Sequence, residues 1–244
     1  MYNFFCDNLV DDCFLITDTD CNHIVNVLRM KIGDEFLVSM NNKSNLCKIV
    51  ELSPEVVRAK IIEENFQDTS LSIDLVLMQG LPKSDKMELI IQKAVELGVN
   101  EIIPVETSRS IVKLLGNKKD NKISRWQSIA ESGAKQSKRT VIPTVSPVIS
   151  FSDALKLAKD FDLFILPYES KNGMQDTKDV LKTLKPNMKV GVFIGPEGGF
   201  SQEEVEKAQQ SGAKIISLGK RILRTETAAI TSLSMLMLHA EMNF

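Results

Sequence analysis

Nowhere in the 244 residues is there an apolar run of the eighteen or so needed for a membrane-spanning helix, so no spanning segment is expected. The opening residues include Asp7, Asp11 and Asp12 and no basic stretch, which is not the form of a signal peptide; a cytoplasmic protein is expected. Charge of one sign is missing too. With a net charge of −2 the chain exerts no global pull on nucleic acid, and an RNA partner would have to be met by a local patch. The four cysteines, Cys6, Cys13, Cys21 and Cys47, contain no C-x-x-C pair and have only His23 nearby, so reduced, buried thiols are expected and no metal site. A G-x-G-x-x-G dinucleotide fingerprint, a phosphate-loop Lys-Ser/Thr, internal repeats and long low-complexity linkers are all lacking.

What is present is concentrated toward the C-terminus. Val190 to Ile194 is a short apolar run ended by Gly195-Pro196-Glu197-Gly198-Gly199, the pattern of a buried strand running into a tight loop. Ser201 can cap a following helix whose first turn holds Glu203 and Glu204 and whose end is marked by Gly212. A strand over Lys214–Leu218, a polar turn over Gly219–Arg224 and a long apolar helix from about Thr225, which Thr225 can cap, complete a βαβα unit. Its two loops lie at the carboxyl ends of parallel strands, where open α/β sheets place ligands. A glutamate in the first loop disfavours a pyrophosphate and suits a neutral or cationic ligand held by backbone groups; a bare strand-to-helix turn is the alternative.

The first seventy residues form a separate β-rich module. Strands are expected at 2–5, 12–16, 35–40, 46–52 and 56–62, with a turn cluster at Asn41–Asn45 and a helix that Asp20 caps and that carries Ile24, Val27 and Leu28. The polar stretch Glu63–Ser70 marks a boundary, giving domains 1–70 and 71–244. Beyond it, strands at 73–78, 102–105 and 163–166 alternate with helices over 87–97, 151–158 and 179–184. The loop Gln79 to Lys86 and the segment Pro167-Tyr168-Glu169 fall on the same sheet edge as the two C-terminal loops. Between Arg109 and Arg139 nine basic residues stand against Asp120 and Glu131, a local excess of seven that is either an RNA-facing patch or a solvated face.

The loop Leu218-Gly219-Lys220-Arg221-Ile222-Leu223-Arg224-Thr225-Glu226-Thr227-Ala228-Ala229 resembles the closing motif of the SPOUT methyltransferases, and Gly195 to Phe200 resembles their preceding motif. The pairing of Gly-Pro-Glu-Gly-Gly-Phe with Ile-Leu-Arg-Thr-Glu-Thr-Ala is similar to the RsmE family, which methylates N3 of a uridine in 16S, small-subunit, ribosomal RNA. Leu81-Pro82-Lys83, Lys86-Met87-Glu88, Arg109 to Lys113, Arg125-Trp126 and Lys135 to Arg139 extend the likeness over nearly the whole chain, with Ser84 and Ser132-Gly133 as departures. The resemblance implies a SPOUT-type α/β domain with a mainly parallel sheet of five or six strands and a C-terminal trefoil knot, preceded by a small PUA-like β-barrel. It implies S-adenosylmethionine as cofactor, held by Leu166, Ile194, Gly195, Glu197, Gly199, Leu218, Gly219, Leu223 and Thr227. Arg224 and Glu226 become the catalytic candidates, and Arg29, Lys83, Lys86, Arg109, Lys135, Gln136 and Arg139 the RNA-binding candidates. The implied partners are the RNA, within an assembled or nearly assembled 30S particle, and a second copy of the chain, with Ile230, Leu233, Leu236, Met237 and Leu238 as contact candidates. A SPOUT enzyme acting on a ribose 2′-hydroxyl or on transfer RNA, and an inactive RNA-binding homologue, are the alternatives.

Overall fold

The protein's fold is given by a computed structural model, which describes residues 1–112, 116–168 and 173–244. Lys113 and Glu169, named above, lie outside the described residues. The chain divides into two compact units, Met1–Ser70 with Ala134–Ile142, and Leu71–Gly133 with Pro143–Phe244.

The N-terminal unit contains β1 (Asn3–Phe5), β2 (Leu9–Val10), β3 (Cys13–Ile16), α1 (Asp18–Asn22), a π-helical turn (His23–Val27), β4 (Glu35–Met40), β5 (Lys43–Leu52) and β6 (Val57–Gln67). The sheet order is β1-β4-β5-β6-β3-β2, with β1 parallel to β4 and the other pairs antiparallel. It curls around a core that includes Phe4, Phe14, Ile24, Phe36, Cys47 and Ile49. The β4–β5 hairpin turns on Asn41 and Asn42 alone, both at positive φ (49° and 62°), the geometry that matches the twist of the paired strands. Three expectations change here. The helix starts at Asp18 with Thr17 before it, so Asp20 lies inside the first turn and does not cap. The wider π turn rotates Val27 out of the core, leaving it 65% exposed while Ile24 stays buried. The polar residues Glu63–Gln67 continue β6, because the long β5 offers their backbone a pairing partner.

Residues 134–142, which the sequence assigns to the second domain, belong to this unit through backbone carbonyls. The Arg139 carbonyl accepts hydrogen bonds from Asn3 Nδ2 at 3.0 Å and Ser39 Oγ at 3.3 Å. The Lys138 carbonyl accepts from Gln67 Nε2 at 3.4 Å and Thr69 Oγ1 at 3.3 Å. Lys135 Nζ reaches both carboxylate oxygens of Asp20, at 2.7 and 2.9 Å.

The second unit contains β7 (Asp74–Gly80), α2 (Lys86–Glu96), β8 (Glu101–Glu106), the greater part of α3 (Asn117–Gln136), β9 (Thr144–Val145), β10 (Ile149–Ser150), α4 (Phe151–Leu157), β11 (Leu163–Pro167), α5 (Met174–Leu181), β12 (Lys189–Ile194), α6 (Gln202–Gln210), β13 (Lys214–Ile216) and α7 (Thr225–Asn243). Its sheet runs β10-β8-β7-β12-β11-β13 with β9 added on β8, and every described pairing in it is parallel. Parallel strands covered on both faces need continuous apolar runs, and β7, β8, β11 and β12 are buried nearly end to end. α5 begins at Met174, earlier than expected, because Thr177 anchors it: its hydroxyl donates to the Ser217 carbonyl at 2.7 Å and accepts from the Ser217 amide at 3.1 Å. The carboxyl ends of β7, β8, β11, β12 and β13 bring their loops to one edge of the sheet.

Cys13, Cys21 and Cys47 are buried and Cys6 is half-buried. Burial pushes the Cys47 thiol up to about 12, with the neighbouring Cys13 and Cys6 adding to it. Since only the thiolate is nucleophilic, alkylation at about pH 8 followed by mass spectrometry should modify Cys6 and leave Cys47 intact in the native protein. Labelling of native Cys47 at the rate of Cys6 contradicts this packing.

Candidate functional site

The loop after β12 is built to keep its backbone bare. A Cβ on Gly195 would lie 3.1 Å from the Gly199 Cα and carbonyl carbon, so no side chain fits there without displacing main chain. Gly199 has φ of +63° and closes a turn in which its amide donates to the Pro196 carbonyl at 2.8 Å. Phe200 then enters the core, its ring 4.8 Å from that of Phe193 in edge contact. α6 begins with a capping box: Ser201 Oγ accepts from the Glu204 amide and Glu204 Oε2 accepts from the Ser201 amide. The other carboxylate oxygen of Glu204 accepts from the Ser108 amide at 2.8 Å, which fixes the loop after β8 to the start of α6.

Beneath the two C-terminal loops is a buried polar node. Gln79, fully buried at the end of β7, donates from Nε2 to the Gly80 carbonyl at 2.9 Å and to Thr225 Oγ1 at 3.0 Å. The Thr225 hydroxyl donates in turn to the Gly195 carbonyl at 2.7 Å. Thr225 is therefore not the cap of α7: it is the first helical residue, and Arg224, extended at φ −66° and ψ 155°, holds the capping position without a side-chain cap. The arrangement joins the end of β7, the loop after β12 and the start of α7.

A charged cluster lies at the mouth. Lys86 Nζ is 3.0 Å from Glu197 Oε1 and 3.5 Å from Glu226 Oε2. The Lys83 amide donates to both Glu197 oxygens, at 3.1 and 3.3 Å. Burial alone raises the Glu197 carboxyl, but hydrogen bonds from Lys86 and the loop backbone outweigh it and hold the group below its usual range. The hydrogen bond to Glu197, reinforced by both carboxylate charges, holds the Lys86 ammonium above its usual range. At neutral pH Lys86 and Glu197 are thus both charged. Glu226 Oε2 is buried, and among the described residues the 3.5 Å approach of Lys86 is its only polar contact. Arg109 Nη1 donates to the Gly198 carbonyl at 2.9 Å. The Arg224 side chain is exposed and has no ion-pair or hydrogen-bond partner among the described residues.

Two cavities share Pro167, Tyr168, Ile222, Leu223 and Ala228 as walls. The larger, about 690 Å³, is bounded by Ile194 to Phe200 and by Leu223 to Thr225, with Lys86 and Arg109 at its side. The smaller, about 260 Å³, adds Ser217 to Arg221. Of the residues the sequence puts forward as cofactor ligands, Ile194, Gly195, Glu197 and Gly199 line the first, Leu218 and Gly219 the second, and Leu223 both. Leu166 is instead fully buried in the sheet core, and Thr227 is exposed on α7. Gln79, Ser217 and Ala228 escaped sequence reading; a lone glutamine closing the apolar run of β7 was the available signal. Among the RNA candidates, Lys83 and Arg109 are exposed and Lys86 is half-buried. In the N-terminal unit Arg29 and Gln136 are exposed, Lys135 is paired with Asp20, and Arg139 is only 7% exposed, burial pulling its guanidinium down to about 10. The basic excess counted over 109–139 is therefore not all free surface charge.

Residues 69–237 match the family model described as RNA methyltransferase domain, and residues 16–62 match that of the RNA methyltransferase PUA domain. The chain is 37% identical to ribosomal RNA small subunit methyltransferase E of Bacillus subtilis over 94% of its own length and 91% of the relative's. It is 36% identical to the protein of that name from Mesomycoplasma hyopneumoniae, over 94% and 96% of the two chains. The crystal structure of ribosomal RNA small subunit methyltransferase E from Neisseria gonorrhoeae bound to S-adenosyl methionine superposes with a TM-score of 0.83 at 28% identity, covering 98% of this chain and 97% of that one. With its fold, its two matched domains and these relatives in agreement, the chain belongs to the ribosomal RNA small subunit methyltransferase E family.

Proposed function

We propose that this protein transfers the methyl group of S-adenosylmethionine to N3 of a uridine in small-subunit ribosomal RNA. The observation that carries the reading is the cleft between the Gly195–Gly199 turn and the Leu218–Arg224 loop, with an arginine at its edge that has no partner among the described residues.

The residues present fit the cofactor. Gly195 is packed so closely against Gly199 that only backbone faces the cavity there, which suits a ligand recognised through main-chain groups. Tyr168, Ile222 and Leu223 supply apolar wall for a flat base. Glu197 is neutralised by Lys86, so the turn is not closed to the ligand's own carboxylate. When bound, the cofactor supplies a methyl group activated by its sulfonium. The chain must then orient the acceptor nitrogen, exclude water and help remove a proton. As the N3–H bond breaks, its electron pair stays on the ring and negative charge spreads to O2 and O4. Arg224 is the group placed to hold that charge, its backbone extended and its side chain exposed and without a partner among the described residues. Glu226, in the first turn of α7 beside Lys86, is the candidate to take the proton.

The finer parts of the reading are a cytoplasmic protein acting on an assembled or nearly assembled 30S particle, as a homodimer, with a trefoil knot at the C-terminus. Among the described residues no helix is long and apolar enough to cross a membrane. The Gln79–Thr225–Gly195 node seats the loop after β12 against the start of α7, the proximity that such a knot requires. Leu233 and Leu236 of α7 are buried in this chain, whereas Leu238, Met242 and Phe244 are exposed and available to a second copy. Mapping of methylated nucleosides in ribosomal RNA from a strain lacking the gene tests the activity: loss of one N3-methyluridine is expected, and an unchanged RNA overturns it.

Two variants test the residues. Gly195→Val forces the turn apart and should weaken S-adenosylmethionine binding by about tenfold or more while leaving the circular dichroism spectrum intact, since the clash is confined to Gly199 and Phe200. Unchanged affinity in calorimetry sinks the placement. Arg224→Ala should slow single-turnover methyl transfer by about a hundredfold, as loss of one transition-state donor does elsewhere, with cofactor affinity retained. Raising the pH should recover part of the rate, because more uracil is already ionised. A normal single-turnover rate removes Arg224 from the chemistry.

A further inference from the structure

Two of the cations expected to meet RNA already have acceptors, on adjacent residues of one turn. Lys86, at the start of α2, reaches the Glu197 carboxylate at 3.0 Å; Arg109, in the loop after β8, donates to the Gly198 carbonyl at 2.9 Å. They grip neighbouring residues of one turn from two different loops. We propose that Lys86 and Arg109 are positioning residues for the Gly195–Gly199 turn, acting through the Glu197 carboxylate and the Gly198 carbonyl rather than on nucleic acid. The inference rests on the reading of that turn as the cofactor cradle.

The need for such a grip follows from composition. Three of the five residues of the turn are glycine, the residue that loses most conformational freedom on being ordered. Its ends are held by Ile194 in the sheet and Phe200 in the core, and its first carbonyl by Thr225. Between those anchors the described contacts from outside the turn include Lys86 and the Lys83 amide on Glu197, and Arg109 on Gly198. The Arg109 side chain lies along the turn, for a Cβ on Gly198 would come within 3.0 Å of its own Cβ. Glu197 makes the arrangement self-consistent. Its carboxylate is drawn toward the Lys83 amide and Lys86, so the turn presents main chain rather than a free anion to the cavity. Lys86 also stands 3.5 Å from Glu226, so one ammonium couples the turn to the first turn of α7. Both cations keep further N–H donors, so a phosphate would share each of them with these internal acceptors, and the salt dependence of RNA binding decides whether it does.

The test is hydrogen exchange on the protein without ligand, read on the peptide spanning residues 194–200. Lys86→Met and Arg109→Met should each speed its exchange by about fivefold, the effect of losing one partly exposed charged contact, while Lys86→Arg stays near the parent rate. Adding Glu197→Gln to Lys86→Met should change little further, because the two act as one pair. The dependence of RNA affinity on salt should keep its slope in both methionine variants. Unaltered exchange in both overturns the proposal, and so does a salt slope reduced by about one per cation removed, which would assign the groups to phosphate. Calorimetry of the parent protein with S-adenosylhomocysteine judges the cofactor reading separately, since the exchange result does not depend on it.

Discussion

The Thr225 hydroxyl is the point on which the candidate site depends. It donates to the Gly195 carbonyl at 2.7 Å and accepts from Gln79 Nε2 at 3.0 Å, joining residues that are far apart in sequence where the core meets the cleft. A buried carbonyl or hydroxyl without a partner costs about 1–3 kcal/mol, so each member of this node constrains the other two. The orientation of the Gln79 amide is determined as well. Reversing it would set its oxygen against the Gly80 carbonyl, an acceptor facing an acceptor. With Thr225 fixed on Gly195, the backbone of Arg224 is fixed one residue earlier, and the acceptor side of the cleft is set relative to the cofactor side.

Charge at the mouth of the cleft is arranged around the same loops. Lys86 stands between Glu197 and Glu226, Arg109 is bonded to Gly198, and the capping glutamate of α6 holds Ser108. Exposed ion pairs such as Lys86–Glu197 contribute little to global stability. Their effect is local. They select one conformation of glycine-rich backbone that would otherwise sample several, which is worth more to binding than to folding.

Much of this was legible in the chain because the signals were local. The apolar run of β12, the Ser201–Glu204 capping box and the alternation of strand and helix after residue 71 each rest on neighbours in sequence, and the structure has them nearly where the pattern put them. What was not legible depends on partners distant in sequence. Residues 135–139 read as part of a basic patch, yet the carbonyls of Lys138 and Arg139 bond Asn3, Ser39, Gln67 and Thr69. The letters Lys and Arg are the same on a solvated face and in an internal pair, and only the fold decides between them. Thr225 shows the same limit: its position before a helix suggested a cap, but a buried carbonyl on another loop claimed its hydroxyl.

Arg224 breaks the local rules that the rest of this region obeys. A cation at a helix N-terminus faces the positive end of the helix dipole, an arrangement that costs about 0.3–1 kcal/mol where an acidic or hydroxyl cap would have stabilised α7. Two residues before it, Ile222 is 91% exposed. Lys86 has a counter-charge and Arg109 a carbonyl acceptor on their own chain, whereas Arg224 has no such partner among the described residues. Local conflicts of this kind collect where a site needs a group that folding alone would not choose. The fixed backbone on one side and the exposed guanidinium, unpaired among the described residues, on the other are two parts of one arrangement: the node holds Arg224 in place against the preference of its own helix, and the acceptor that suits it is an anion brought into the cleft.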